Sequence, residues 1–187
     1  MKRILLLLLG VVLVCGVQAQ VCDNGFSVVA SGYHSFKTTD YAYHNKTWDA
    51  ALGVNYSFHF SERFCLLPEA SVFIKKYRDA DAHKLGGGLM VGGDAVYCLG
   101  LYQCKTSFEL FTGPRLDCEF IRARSVYDGS ADTYPYSNMF QLYWRAGIAH
   151  SVERIRLSVA VSMPVTTYAR GERMWGIDFA IAYKLPI

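Results

Sequence analysis

Between Lys105 and Phe120 the chain alternates in a way that few folds accommodate. Phe108, Leu110, Leu116, Cys118 and Phe120 share one parity, with Thr112 and Pro114 between them. Lys105, Ser107, Glu109, Arg115, Asp117 and Glu119 share the other, interrupted by Phe111 and Gly113. A period of two is a strand with two unlike faces. Which face meets water separates two architectures. A soluble sheet turns its charges outward, whereas a barrel crossing a membrane turns them into its lumen.

The start of the chain bears on the compartment. Lys2 and Arg3 precede an apolar run over residues 4–14, and Val17-Gln18-Ala19 follows as a small-residue cleavage site. This reads as a secretory signal over residues 1–19, because the run is well short of the roughly 20 residues of a spanning helix. Cys15 raises a lipoprotein alternative, against which Val14 stands where such signals carry a small residue. Residues 20–187 then form one domain, and losing Lys2 and Arg3 takes the formal charge from +3 to about +1. So small a charge argues against a nucleic-acid partner. Hydrophobic residues make up 52% of the chain, yet after the signal they are dispersed by alternation, as in transmembrane barrels.

Eight alternating segments are predicted, at residues 26–36, 46–60, 64–77, 83–99, 105–123, 138–150, 155–168 and 173–185. Short links at 61–63, 100–103 and 151–154 contrast with longer ones at 37–45, 78–82 and 122–137, although the last link, at 169–172, is short and breaks the trend. That asymmetry, with an even strand count, is the habit of outer-membrane barrels and puts both termini at the short-turn, periplasmic end. The expected fold is therefore an all-β, eight-stranded, antiparallel up-and-down transmembrane barrel. Pro68, Pro114 and Pro164 fall inside predicted strands, where a closed barrel has no free edge to receive them.

The alternative is a soluble secreted barrel of lipocalin type, used for binding. Its water-facing parity would carry many Lys and Glu. Here the polar parity is mostly Gly, Ser, Ala, Thr and Asn, which suits the crowded lumen of an eight-stranded barrel. Trp48, Phe60, Phe108, Phe120, Phe140 and Trp175 lie on the apolar parity near strand ends, as an aromatic girdle at headgroup level requires.

The signal, the eight segments and the phrase Phe111-Thr112-Gly113-Pro114 together resemble the small outer-membrane barrels of the OmpA-transmembrane, OmpX and PorT-like families. Gly176, Phe179, Ile181 and Tyr183 are similar to the last-strand pattern that the barrel-assembly machinery recognises, although Lys-Leu-Pro-Ile replaces the terminal aromatic typical of the group. The resemblance implies an integral barrel, lipid and lipopolysaccharide as surroundings, and, from the PorT-like members, service to a secretion complex. The families differ widely in activity, so fold does not name function.

Asp49, Glu69, Glu109, Arg115, Asp117, Arg145 and Asp178 share the inward parity. In a narrow lumen such charges have to pair, forming a plug in preference to a gated ion path. The enzymatic alternative is a lipid A-modifying hydrolase, whose deacylase members set a His and a Ser two apart with a carboxylate. His59 and Ser61 have that spacing, with Glu62 or Glu69 as the acid, but lie at the periplasmic turn, away from the outer leaflet where such enzymes act. His150-Ser151 and His34-Ser35 have the wrong spacing. The expectation is no catalysis, no cofactor and no metal.

Of six cysteines, Cys15 leaves with the signal. Cys65 and Cys98 have inward parity at the periplasmic ends of adjacent strands and form a disulfide candidate, with Cys22 and Cys104 as competing partners. Cys118 faces lipid as a small hydrophobe. The loops at 37–45 and 122–137, rich in Tyr, Ser and Asp, are candidate surfaces for an extracellular or secretion-complex partner. Lys75, Lys76, Lys84, Arg122 and Arg124 cluster at the same rim as candidate lipopolysaccharide contacts.

Overall fold

The structure is a computed structural model that describes residues 24–37, 46–78, 83–99, 106–122, 140–166 and 174–186. Eight strands appear in it: β1 (Gly25–Lys37), β2 (Lys46–His59), β3 (Phe64–Arg78), β4 (His83–Cys98), β5 (Thr106–Arg122), β6 (Phe140–Val152), β7 (Ile155–Pro164) and β8 (Met174–Lys184). Each pairs antiparallel with the next, and β1 pairs with β8, so the sheet closes into a barrel. Strand boundaries follow the alternation to within about two residues, except at β7, which ends at Pro164 and bends at Val165 and Thr166. The signal expected over residues 1–19 lies outside the described residues.

One end of the barrel carries short turns. Glu153 and Arg154 join β6 to β7, with Glu153 in the left-handed region at φ 51°. Phe60–Arg63 join β2 to β3, where the Ser61 hydroxyl accepts the backbone N–H groups of Phe64 (3.1 Å) and Arg63 (3.3 Å). The opposite end, where the Tyr-rich loops attach, is called the loop end below.

The three prolines are answered by breaks in the ladders. Between β2 and β3 the pairing runs to Asn55↔Glu69 and resumes at Phe58↔Leu66, skipping the pair that would use the missing N–H of Pro68. Between β4 and β5 it runs to Gly92↔Arg115 and resumes at Ala95↔Thr112, skipping Pro114. Pro164 is the last residue of its strand. A closed sheet therefore tolerates proline at a gap in one ladder, as it would at an edge. A bulge at Gly87/Gly88 gives β5 one residue more than β4, since Gly88 faces Glu119 and Gly87 faces Ile121.

Polarity is inverted relative to a soluble protein. Trp48 (61% exposed), Leu52, Val72, Ile74, Ile148 and Phe179 stand on the outer surface, while Glu109, Arg115, Asp117 and Asp178 are buried within the lumen. Close strand approach depends on glycine at Gly113, where a Cβ would overlap the carbonyl of Gly93 on β4. Backbone cannot swing aside as a side chain can. Gly113→Ala is expected to cost about 1–3 kcal/mol, as overpacking does, read as a lower urea midpoint for the refolded barrel in detergent.

Candidate functional site

The lumen is the candidate site, and its side chains stack in layers from the loop end to the turn end. At the loop end Lys75 Nζ lies 3.6 Å from Asp49 Oδ2, both buried, on paired positions of β3 and β2. The next layer centres on Arg115. Its Nε donates to Asp117 Oδ1 (2.9 Å), its Nη2 to Asp117 Oδ2 (3.1 Å) and its Nη1 to Asp178 of β8. Two parallel bonds to one carboxylate match the guanidinium fork. The rings of Tyr33 and Tyr143 flank the cation at 4.6 and 5.2 Å, and the Ser162 hydroxyl donates to Asp178. Tyr33 fits because Gly176 has no Cβ, which would occupy the space of the phenol ring.

Below it, Arg145 of β6 reaches across the lumen. Its Nε donates to Asp94 Oδ1 (2.9 Å), and its Nη2 to Asp94 Oδ2 (2.8 Å) and Glu69 Oε2 (3.2 Å). Ser71 donates to the other oxygen of Glu69 at 3.1 Å. An apolar layer follows, in which Cys65, Leu67, Val96, Phe111, Ala149 and Ala160 form one buried cluster. At the turn-end mouth Glu109 accepts from Arg156 Nε (2.7 Å), Ser151 (2.6 Å) and Ser107 (3.2 Å). The Arg156 guanidinium stands 5.0 Å over the Phe111 ring.

All seven carboxylates and guanidiniums expected in the lumen are buried there, but in a different grouping. Glu109 is separated from Arg115, Asp117 and Arg145 by the apolar layer and pairs with Arg156. Asp94, Lys75 and Arg156 complete the network. The signal for Asp94 was its parity, opposite Leu89 and Val91, and the same signal existed for Lys75.

Lys75 is therefore a correction. Expected as a rim contact for lipopolysaccharide, it is 4% exposed and ion-paired with Asp49, because it shares the inward parity of Glu69 and Ser71. Lys76 does face outward and is exposed. The side chains of Lys84 and Arg122, all of Arg124, and nearly all of both Tyr-rich loops lie outside the described residues.

Cys65 and Cys98 are a second correction. Both are buried thiols, not joined in a disulfide. Register explains it: Cys65 faces Val96, so Cys98 is its diagonal neighbour. Diagonal positions lie roughly 7–8 Å apart, beyond ordinary disulfide reach. Cys118 is a half-buried thiol on the outer face.

Trp48, Phe60, Phe108, Phe120, Phe140 and Trp175 all point outward, Phe60 and Phe108 near the turn end and the others near the loop end. Two of them stack on histidines, Trp48 on His34 at 4.1 Å and Phe108 on His150 at 4.4 Å. The Ser61 oxygen serves its turn, and Glu69 is held by Arg145 in mid-lumen. Among the described residues no group of three or more His, Cys, Asp or Glu side chains is arranged to hold a metal.

Comparison of this architecture with solved structures gives a match to Neisserial surface protein A (NspA), at a TM-score of 0.51 and 15% identity over 87% of this chain and 99% of that one. The fold is that of a small outer-membrane β-barrel. The N-terminal β-barrel domain of Pseudomonas aeruginosa OprF also matches, at a TM-score of 0.41 and 13% identity over 90% of this chain and 100% of that one. No family model matches the chain, and no curated protein matches it. At such identities the likeness concerns the fold alone.

Removing one member of a buried ionic group leaves its partners uncompensated. Arg145→Gln is expected to destabilise the barrel by about 3–5 kcal/mol, since Asp94 and Glu69 both lose their cation. Equilibrium unfolding in urea, with native gel mobility as the probe, measures the loss.

Proposed function

We propose that the chain is an integral outer-membrane barrel of a Gram-negative-type envelope, without catalytic activity, whose lumen is closed. The observation that carries this is the inverted polarity of the wall. From Phe64 to Ile74 the outward positions of β3 are apolar, and a tilted strand of that length covers about 25 Å along the membrane normal, the height of a barrel's apolar band. The shortest strands, β7 with 10 residues and β8 with 11, still meet the roughly 9–11 residues that crossing requires.

Its surroundings are outer-membrane lipid, lipopolysaccharide included, and its insertion uses the barrel-assembly machinery. On β8, Phe179, Ile181 and Tyr183 present a regular outward row to that machinery. The work of the molecule then falls to envelope integrity or to binding a surface or secretion-complex partner through residues 37–45 and 122–137.

Closure has two parts, ion-paired layers toward the loops and the apolar layer of Leu67, Val96 and Phe111 toward the turns. An eight-stranded lumen is just wide enough for side chains to fill, and an apolar constriction excludes ions by dewetting. The native chain should run anomalously on gels until boiled, in the outer-membrane fraction, and should give no conductance steps in a planar bilayer. Phe111→Ala should keep the heat-dependent shift and open discrete steps. A native chain that remains soluble after secretion, or conducts steadily, would sink the proposal.

A further inference from the structure

A groove of about 620 Å³ crosses the outer wall over β5–β8 and β1. Two outward rows of side chains border it, and register defines both. In the row nearer the turn end Phe108 faces His150, which faces Leu157, followed by Ile181 and Ala30. In the other row Ile148 faces Val159, followed by Phe179 and Gly32. Continued around the barrel, the first row returns to β5 at Cys118, far toward the loop end from Phe108. The groove therefore climbs as it crosses the strands. Its foot lies beside Phe108 at the turn end, and its head lies at mid-wall on β1, about 19 Å away over four strand spacings.

The head is open because β1 presents Ala30 and Gly32 beside the larger Ile181 and Phe179 of β8. Glycine inside a strand weakens it, and it marks a bulge, a bend, or the close approach of a backbone or a ligand. The wall itself does not require glycine at Gly32. Pairing with β2 and with β8 runs through it without a register shift, and its φ lies outside the left-handed region. A Cβ there would meet nothing nearer than the Asp49 carbonyl at 3.8 Å, an ordinary contact, whereas at Gly147 it would overlap the Val159 carbonyl. What the missing side chain leaves is room on the outer surface.

The groove opens onto the hydrocarbon that surrounds a membrane-spanning wall, and its shape matches one lipid chain. Along the climb the outward side chains are aliphatic or aromatic, and the one imidazole stands at the foot. There His150 stacks on Phe108 at 4.4 Å, and its Nδ1 donates to the Ser107 carbonyl at 3.2 Å. A polar ring at that depth suits the ester level of a lipid. Strands tilted by about 40° give the groove the same slope, so it rises ~12 Å. That is close to one leaflet, half of a roughly 30 Å hydrocarbon core.

We propose that this groove holds one acyl chain of a phospholipid in the turn-end leaflet, with its ester level at His150 and its methyl end at Gly32. The proposal rests on the membrane-spanning reading above and adds to it a lipid site on one side of the wall. A chain seated there is held along its length, while chains elsewhere around the barrel exchange freely.

The barrel is refolded into phosphatidylcholine vesicles that contain a small fraction of phosphatidylcholine with a photoreactive diazirine at its chain end. Irradiation followed by peptide mass spectrometry maps the contacts. Label should concentrate on Ala30, Gly32 and Phe179, and a diazirine placed next to the ester should move it to Phe108 and His150. Gly32→Leu fills the head of the groove and should remove the chain-end cluster. Ala30→Leu blocks the same head and serves where Gly32→Leu gives no heat-modifiable form. Ala70→Leu, at an exposed outward position of β3, should change nothing.

Even labelling around the wall overturns the proposal, as does a cluster that survives in the groove variants or an ester and chain-end order that is reversed. Displacement of the label by added free fatty acid would assign the groove to that ligand and overturn it too. Label at Gly32 that emerges only when the protein is diluted in lipid would assign the groove to a second copy of the chain, with the same consequence. A chain that gives no heat-modifiable form in these vesicles fails earlier, at the membrane reading. A chain that inserts normally and labels evenly loses the groove site and keeps that reading.

Discussion

In the membrane-spanning reading proposed above, the surrounding hydrocarbon offers no hydrogen bonds, so strand N–H and C=O groups have to be answered by a neighbouring strand. Closure of β1 onto β8 is the condition for everything else. It removes both edges, and it moves the exceptions to places where the ladder is already broken. Pro68 and Pro114 sit at such breaks, one between β2 and β3 and one between β4 and β5. Glycines such as Gly113 then let neighbouring backbones approach where the wall coils.

Closure also produces a narrow interior, and the interior dictates its own chemistry. Side chains that fill it are buried from both water and lipid, so charge is tolerated only as groups that neutralise one another. Arg115 and Arg145 each draw carboxylates from strands far apart in sequence, Asp178 in one case and Asp94 and Glu69 in the other. These bonds tie opposite walls and resist flattening of the ring. Beneath them the apolar layer around Phe111 separates the two arginine-centred groups from the Glu109–Arg156 pair. Ion pairs set the shape of the lumen, and the apolar layer is what denies it to water.

The outer wall follows the opposite rule. Its residues need no partners, so it is free to be uniform, and it is nearly so. Departures from uniformity carry information there because nothing in the fold demands them. Among the described residues, Lys76 on β3 and the histidine-stacked aromatics Trp48 and Phe108 are such departures. In the lumen, by contrast, a charge is expected wherever another charge awaits it.

Alternation alone determined the strand count, the boundaries of most strands and the parity of nearly every residue, because side-chain direction in a strand depends only on neighbours along the chain. Glu109, Arg115, Asp117, Arg145 and Asp178 were legible as inward for that reason, and Lys75 was misassigned only where its position near a strand end was given more weight than its parity. Partner choice was not legible. Whether Arg145 meets Asp94 or Asp117, whether Glu109 joins Arg115 or Arg156, and whether Cys98 lies opposite Cys65 or diagonal to it are all set by register. Register is fixed by the bulge at Gly87/Gly88, by the turns and by the stagger needed to close eight strands into a ring. That stagger is a property of the whole circuit, and no single stretch of sequence contains it.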